Sequence, residues 1–177
     1  MLKGKVALIT GAGKGIGAAI AKEMAAQGAT VIINYSHSEA AAENMKKEIE
    51  EAGGRAETCR CDVSDYESVK KMVSDVIARH KRIDILVNNA GIVKDTLLMR
   101  MAETDFDQVV DINLKGTFNK VKATGSKLFI FCIKNRTSLI KFAKKLTYII
   151  KIRCHNARIK VFGAFLNNYR KISKSLY

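Results

Sequence analysis

Short apolar runs alternate with longer segments of helical apolar spacing, and this alternation constrains the fold more than any other feature of the chain. The apolar runs predict four strands, at Val6–Thr10, Thr30–Asn34, Arg55–Cys61 and Ile83–Val87. The segments between them predict helices of 12 to 16 residues, at Ile16–Gln27, Ser38–Ala52 and Asp65–His80. Repeated strand–helix–strand units form a parallel sheet with helices on both faces. We therefore predict an α/β fold with about four strands and a further helix from Thr104 to about Ala123.

The positive charge of the chain is concentrated in its last third. Residues 1–113 contain 15 Lys and Arg against 17 Asp and Glu, whereas residues 114–177 contain 16 Lys and Arg and no acidic residue. The net charge of +14 therefore arises entirely after residue 113. A basic chain is expected to attract nucleic acid or anionic membrane, but here that expectation applies only to the basic segment. We expect no specific nucleic-acid partner.

The remaining composition argues against several classes of protein. The four cysteines and three histidines show no metal-ligand spacing, so we expect no metal site. The longest apolar run, Leu128–Ile133, is far shorter than the ~18 residues of a membrane span. Only Met1–Lys5 precede the first predicted strand, which leaves no room for a leader peptide. We therefore expect a cytoplasmic protein with reduced thiols.

A glycine-rich motif, TGAGKGIG, follows the first predicted strand and opens the first predicted helix. Glycines at this position permit a tight turn and let the backbone approach a pyrophosphate, and the helix N-terminus supplies free N–H groups. The motif predicts a phosphate-binding loop for a dinucleotide. Its candidate residues are Thr10, Gly11, Gly13, Lys14, Gly15, Ile16 and Gly17.

Three more motifs accompany this loop. They are the segment Cys61-Asp62-Val63, the sequence NNAG at 88–91, and Asn113. Together with the glycine spacing after Thr10, they occur in the order typical of the short-chain dehydrogenase/reductase family. The chain resembles this family through about residue 119. The segments around Asn34-Tyr35, Asp95–Met101 and Asp105–Gly116 most resemble the bacterial-type 3-oxoacyl-acyl-carrier-protein reductases within it.

The resemblance implies a Rossmann-like, doubly wound parallel sheet and NADPH-dependent reduction of 3-oxoacyl thioesters to 3-hydroxyacyl thioesters in fatty acid synthesis. It also implies a substrate linked to acyl carrier protein, and a homotetramer, although normal assembly is doubtful for this chain. Asn113 corresponds to the helix asparagine of the family's catalytic set. Further cofactor contacts are implied at Asp62, Val63, Asn89, Ala90 and Gly91.

The end of the second strand favours NADP over NAD. NAD-binding proteins usually place an acidic residue there to accept a hydrogen bond from the ribose 2′-hydroxyl. This chain has Asn34, Tyr35 and Ser36, with no carboxylate to repel a 2′-phosphate. Lys14 in the loop can add positive charge near the same phosphate. We therefore predict NADP as the cofactor.

The rest of the catalytic set is not identifiable in the sequence. The resemblance implies a serine on a fifth strand and Tyr-x-x-x-Lys on the next helix, which together bind and protonate the carbonyl oxygen. Beyond Asn113, Tyr148 has a lysine at the third position rather than the fourth, and Tyr169 has a serine at the fourth. Tyr66 and Lys70 have the right spacing but open the helix after the third strand. We predict that the chain is inactive as a reductase.

The change of composition divides the chain into a predicted NADP-binding domain at 1–119 and a basic segment of uncertain structure at 120–177. Lys, Ile, Asn, Phe and Tyr make up 34 of the 64 residues after position 113, against 29 of the first 113. This enrichment favours an out-of-frame translation of an A/T-rich gene. The alternatives are a non-enzymatic basic module for nucleic acid or membrane, with Ser138–Ile152 as its amphipathic helix, and a divergent reductase with unrecognised catalytic residues.

Overall fold

Parallel strands form a single sheet in the computed structural model, which describes residues 1–125 and 129–132. The described strands stand in the order β3-β2-β1-β4-β5, and every neighbouring pair is parallel. They are β1 (Val6–Thr10), β2 (Thr30–Tyr35), β3 (Arg55–Arg60), β4 (Ile85–Asn88) and β5 (Phe129–Cys132). The predicted Rossmann-like parallel sheet is confirmed, and a fifth strand pairs with β4 where the sequence indicated about four.

The helices lie close to their predicted positions. They are α1 (Gly15–Ala26), α2 (Glu39–Glu51), α3 (Tyr66–His80), α4 (Glu103–Val110) and α5 (Gly116–Thr124). The last two are joined by a π turn at Asp111–Lys115, so the helix predicted from Thr104 to about Ala123 is one helical stretch with a wide turn in its middle. Asp65 caps α3 by accepting a hydrogen bond from the Ser68 N–H at 3.0 Å.

The central strands are buried because helices cover both faces of the sheet. Leu8 of β1 stands opposite Ile32 of β2 and Leu86 of β4, and all three side chains are fully buried. Val69 and Val76 of α3 pack in the same cluster. Each such aliphatic side chain contributes about 1.5–3 kcal/mol through removal from water. This core holds the carboxyl ends of the strands in position, and the candidate site residues predicted from the sequence follow these ends.

The described elements extend past residue 119, where the sequence analysis divides the chain. Residues 120–124 of α5 and all of β5 lie beyond it. The division at residue 119 stays a prediction. The proposed basic helix at Ser138–Ile152 lies outside the described residues. In residues 1–125 and 129–132, no helix is both long and apolar enough to cross a membrane.

Candidate functional site

Thr10 connects the carboxyl ends of the two central strands. It is the last residue of β1 and is fully buried. Its hydroxyl donates a hydrogen bond to Val87 O at 3.2 Å. The same oxygen accepts from the backbone N–H groups of Asn89 and Ala90, each at 3.1 Å. The start of the glycine loop and the NNAG segment are therefore held together by one side chain.

Asn89 makes a second connection between the same two segments. Its side-chain nitrogen donates to Thr10 O at 2.9 Å and to Gly11 O at 3.0 Å. Gly17, in the first turn of α1, packs directly against this amide: a Cβ there would contact the Asn89 side-chain nitrogen and lie 2.6 Å from Gly11 O. Position 17 therefore has no space for a side chain.

The glycine loop has a backbone suited to phosphate binding. Gly11 and Gly15 have φ values of 63° and 60°, the left-handed region that favours glycine. A Cβ at Gly15 would meet nothing within 4 Å, so the space beside it is open. The first turn of α1 contains no acidic residue, and exposed Lys14 precedes it. Free N–H groups, an open approach and local positive charge fit an anionic phosphate.

The end of β2 holds the loop from the other side. Asn34 O accepts hydrogen bonds from the N–H groups of Gly11 and Ala12 at 3.0 and 3.3 Å. The Asn34 side chain, only 1% exposed, donates to Cys59 O and Cys61 O at 3.3 and 3.1 Å. Its amide therefore ties β2 to the β3 exit, and its predicted contact with the cofactor stays a prediction.

Tyr35 and Ser36 follow at the same edge. Tyr35 is 9% exposed and Ser36 is half-buried. Burial raises the pKa of the Tyr35 hydroxyl, and a hydrogen bond to Glu39 and the charge of that carboxylate raise it further. Glu39, in the first turn of α2, is thus an acidic group near the predicted 2′-phosphate position that the sequence analysis did not consider.

The loop after β3 carries Asp62 and Val63. Asp62 is exposed and shapes the turn, because its carboxylate accepts from the Ser64 N–H at 2.9 Å and from the Ser64 hydroxyl at 2.7 Å. Val63 is buried, and its carbonyl oxygen accepts a hydrogen bond from the Asn119 side chain at 3.1 Å. A Cβ at Gly116 would lie 2.9 Å from the Val63 side chain. Helix α5 therefore packs closely against this loop.

Asn113 lies in the π turn and holds the segment that follows the NNAG motif. Its side-chain oxygen accepts from the Ile92 N–H and its side-chain nitrogen donates to Ile92 O, both at 2.9 Å. A Cβ at Gly91 would lie 3.0 Å from the Asn113 side-chain oxygen. Both hydrogen-bonding groups of the side chain are used, and π turns of this kind are frequent at functional sites.

Two residues of α5 that the sequence analysis did not select also reach this edge. The Asn119 side chain donates to Ser64 O at 3.0 Å, in addition to Val63 O. Lys120 is fully buried, and its ammonium lies 3.5 Å from the Thr10 hydroxyl oxygen. The only sequence signal for them was their position at the end of a predicted helix.

The Tyr-x-x-x-Lys spacing at Tyr66 and Lys70 forms no catalytic pair in the structure. The ammonium of Lys122 lies 4.7 Å from the centre of the Tyr66 ring. Lys70 is exposed and its ammonium lies 3.8 Å from the Glu67 carboxylate. Among the described residues, no group of three His, Cys, Asp or Glu side chains is placed to hold a metal ion.

A parallel sheet with crossover helices and a glycine-rich turn after its central strand defines an α/β dinucleotide-binding protein. The sequence profile of the short-chain dehydrogenases matches residues 5–139, and the chain belongs to this family.

Curated relatives are similar to this chain over about half of their own length. The 3-oxoacyl-[acyl-carrier-protein] reductase FabG of Staphylococcus aureus strain Mu50 is 45% identical over 125 residues, which are 70% of this chain and 51% of that protein. The 3-oxoacyl-[acyl-carrier-protein] reductase of Synechocystis is 43% identical over 129 residues, 73% and 52% of the two chains. The chain therefore spans about half the length of the curated relatives it matches.

Solved structures are similar over a comparable share of the chain. A short-chain dehydrogenase from Burkholderia cenocepacia J2315, crystallised in complex with NADP, aligns with a TM-score of 0.67 at 39% identity. The alignment covers 70% of this chain and 50% of that one.

Proposed function

We propose that this chain binds NADP at the carboxyl edge of its sheet through the loop between Thr10 and Gly17. The observation that carries the proposal is the hydrogen bond from Asn89 to Gly11 O, in a loop whose Gly11 and Gly15 both have left-handed conformations and which opens helix α1. The NADP complex of the Burkholderia protein supports the choice of cofactor. When bound, NADPH supplies a hydride.

The groups at the end of β2 support NADP over NAD. Asn34 and Ser36 carry no charge, and the Glu39 carboxylate acts on the Tyr35 hydroxyl and raises its pKa. Lys14 is exposed, so its ammonium is free to approach a 2′-phosphate. A 2′-phosphate therefore meets a cation rather than a directed carboxylate.

The test is calorimetric titration of the full chain with NADP⁺ and with NAD⁺. We expect tighter binding of NADP⁺, and we expect Lys14→Ala to weaken it about two- to fivefold, the size expected for an exposed charge pair. Lys47→Ala removes another exposed lysine, from α2, and is the control. Absence of NADP⁺ binding by the folded protein contradicts the proposal.

We further propose that the related activity is the reduction of 3-oxoacyl thioesters linked to acyl carrier protein, a reaction of the cytoplasm. The two 3-oxoacyl reductases that share 43–45% identity with this chain support the substrate class. The reaction adds a hydride to the 3-oxo carbon and a proton to its oxygen, and the proton requires a positioned acid. Asn113 can hold the loop at Ile92, but its amide is not an acid.

We therefore propose that residues 1–177 bind the cofactor without turning over the substrate. Asn113 has no Tyr-x-x-x-Lys partner in the sequence that follows it. The test measures the oxidation of NADPH in the presence of acetoacetyl-coenzyme A from the loss of NADPH absorbance. The protein concentration is set high enough for NADPH to be bound. We expect no rate above the background without protein. A clear rate that Asn113→Ala abolishes contradicts this proposal and leaves the binding proposal unaffected.

A further inference from the structure

Asn119 is a polar side chain buried between α5 and the loop that joins β3 to α3. This loop comprises residues 61–65 and is called the β3–α3 loop below. Asn119 is 2% exposed, and its side-chain nitrogen donates to Val63 O at 3.1 Å and to Ser64 O at 3.0 Å. An amide nitrogen has two N–H groups, and each has an acceptor here. Because a buried amide is costly without such bonds, Asn119 and the loop hold each other in one arrangement.

Helix α5 holds the part of the β3–α3 loop that lies beyond the sheet. Pairing of β3 with β2 ends at the start of this loop, where the Cys61 N–H donates to Tyr35 O at 2.8 Å. Further along the loop its neighbour is α5, since a Cβ at Gly116 would lie 2.9 Å from the Val63 side chain. The position of the loop beyond Cys61 therefore depends on α5.

The β3–α3 loop lies at the same edge of the sheet as the proposed phosphate sites. Strands β3, β2 and β1 are neighbours and parallel, so the segments that follow them lie side by side at the carboxyl edge. The segment after β1 is the glycine loop, and the end of β2 is the predicted position of the 2′-phosphate. For NADP bound in this way, the loop after β3 borders the adenosine half, which carries the 2′-phosphate.

We propose that Asn119 is a positioning residue for NADP, which holds the β3–α3 loop beside the adenosine half of the nucleotide. This inference rests on the proposed function, because it requires NADP to bind at this edge. Both N–H groups of the Asn119 amide are used within the protein, so the residue acts through the loop. The exposed Asp62 and the loop backbone are the groups that it places beside the nucleotide.

The test is calorimetric titration of the full chain with NADP⁺ and with adenosine 2′,5′-bisphosphate, which contains the adenosine half without the nicotinamide. Asn119→Ala removes both donors, and the affinity falls with the fraction of molecules whose loop is in place. We expect about three- to tenfold weaker binding of both ligands. Asn119→Leu fills the space without restoring a donor and should give the same loss.

Val76→Ala is the control for a loss of stability alone. Val76 is fully buried, but it lies about 15 Å along α3 from the β3–α3 loop. Both alanine variants should lower Tm, whereas Val76→Ala should change either affinity less than twofold. A merely structural Asn119 would weaken NADP⁺ binding more than bisphosphate binding, because general loosening of the sheet also disturbs the nicotinamide half. That result overturns the proposal.

Each remaining outcome also decides the question. If Asn119→Ala binds both ligands as tightly as Val76→Ala does, or loses affinity for NADP⁺ alone, the positioning role is wrong and the proposed function stands. If the original folded chain binds neither ligand, both proposals are wrong. If circular dichroism shows that neither Asn119→Ala nor Asn119→Leu folds, Asn119 is a structural residue and the inference is overturned.

Discussion

The side-chain amide of Asn89 donates a hydrogen bond to Gly11 O at 3.0 Å, and this contact ties the end of β4 to the first residue of the glycine loop. The same nitrogen donates to Thr10 O at 2.9 Å. Asn89 therefore holds the glycine loop against the end of β4 through hydrogen bonds within the protein.

Asn89→Ala is expected to lower the free energy of unfolding by about 1–3 kcal/mol, because two partly buried carbonyl oxygens lose their donor. Denaturant unfolding measures this loss. Asn44→Ala, at an exposed position of α2, is the control and is expected to change stability by less than about 0.5 kcal/mol. Equal unfolding midpoints for the two variants would show that the Asn89 bonds contribute nothing.

Asn113→Ala is expected to loosen the segment between β4 and α4, since both hydrogen bonds to Ile92 are lost. Lys94 and Arg100 in this segment are exposed trypsin sites. We expect their cleavage to accelerate about five- to thirtyfold, corresponding to the loss of one to two net hydrogen bonds. Mass spectrometry of the fragments identifies the cut sites. Gln108→Ala, exposed on α4, is the control, and unchanged cleavage rates would refute the anchoring role of Asn113.

Stability in acid is expected to depend on Asp84. Burial alone would raise the pKa of its carboxyl group, but hydrogen bonds from Arg82 and the Val6 N–H and the charges of Lys5 and Arg82 outweigh burial and lower it. A lowered folded-state pKa stabilises the protein above the unfolded value of about 3.9, and this contribution is lost as pH falls through the folded value.

Asp84→Asn should therefore cost about 1–2 kcal/mol at pH 7, and the difference from the original chain should shrink towards pH 2. Denaturant unfolding at several pH values measures this. Asp95→Asn, which removes a carboxylate from an exposed loop, is the control. A difference that persists unchanged at pH 2 contradicts the assignment.

The thiols of Cys59 and Cys61 are expected to react slowly in the folded protein. Burial raises the pKa of both, that of Cys61 to about 12. At pH 8 the thiolate fraction of Cys61 is then about a thousandfold lower than that of an ordinary cysteine. Iodoacetamide labelling followed by mass spectrometry gives the rate at each site, with the guanidinium-unfolded chain as the reference. Labelling of native Cys61 at the unfolded rate would contradict this expectation.

Local patterns were sufficient for most of the fold. The segments around Leu8, Ile32 and Leu86 are unbroken runs of apolar residues, because parallel strands are buried on both faces. These runs were enough to predict the strands. The glycine loop was predictable because few residues tolerate its backbone. The start of α3 was predictable because aspartate, here Asp65, is a residue type that commonly caps the N-terminus of a helix.

Contacts between distant segments were not predictable in the same way. Asn34 directs its amide at Cys59 O because β2 and β3 pair in a register that places these two residues side by side. Lys120 is a basic residue at the end of a helix, where a solvent-exposed position is the usual expectation, and only the packing of α5 buries it. The π turn around Asn113 depends on one residue of extra spacing, which hydrophobic periodicity does not resolve.

The strand order has a consequence for hydrogen exchange. In the described sheet, β1 has two strands on either side of it, so its backbone amides become exposed to solvent only after β3 and β2, or β5 and β4, have detached. The glycine loop is attached to this strand. Amides of β1 should therefore be among the last to exchange with deuterium, and the residues of the proposed dinucleotide site should stay assembled while the margins of the sheet open and close.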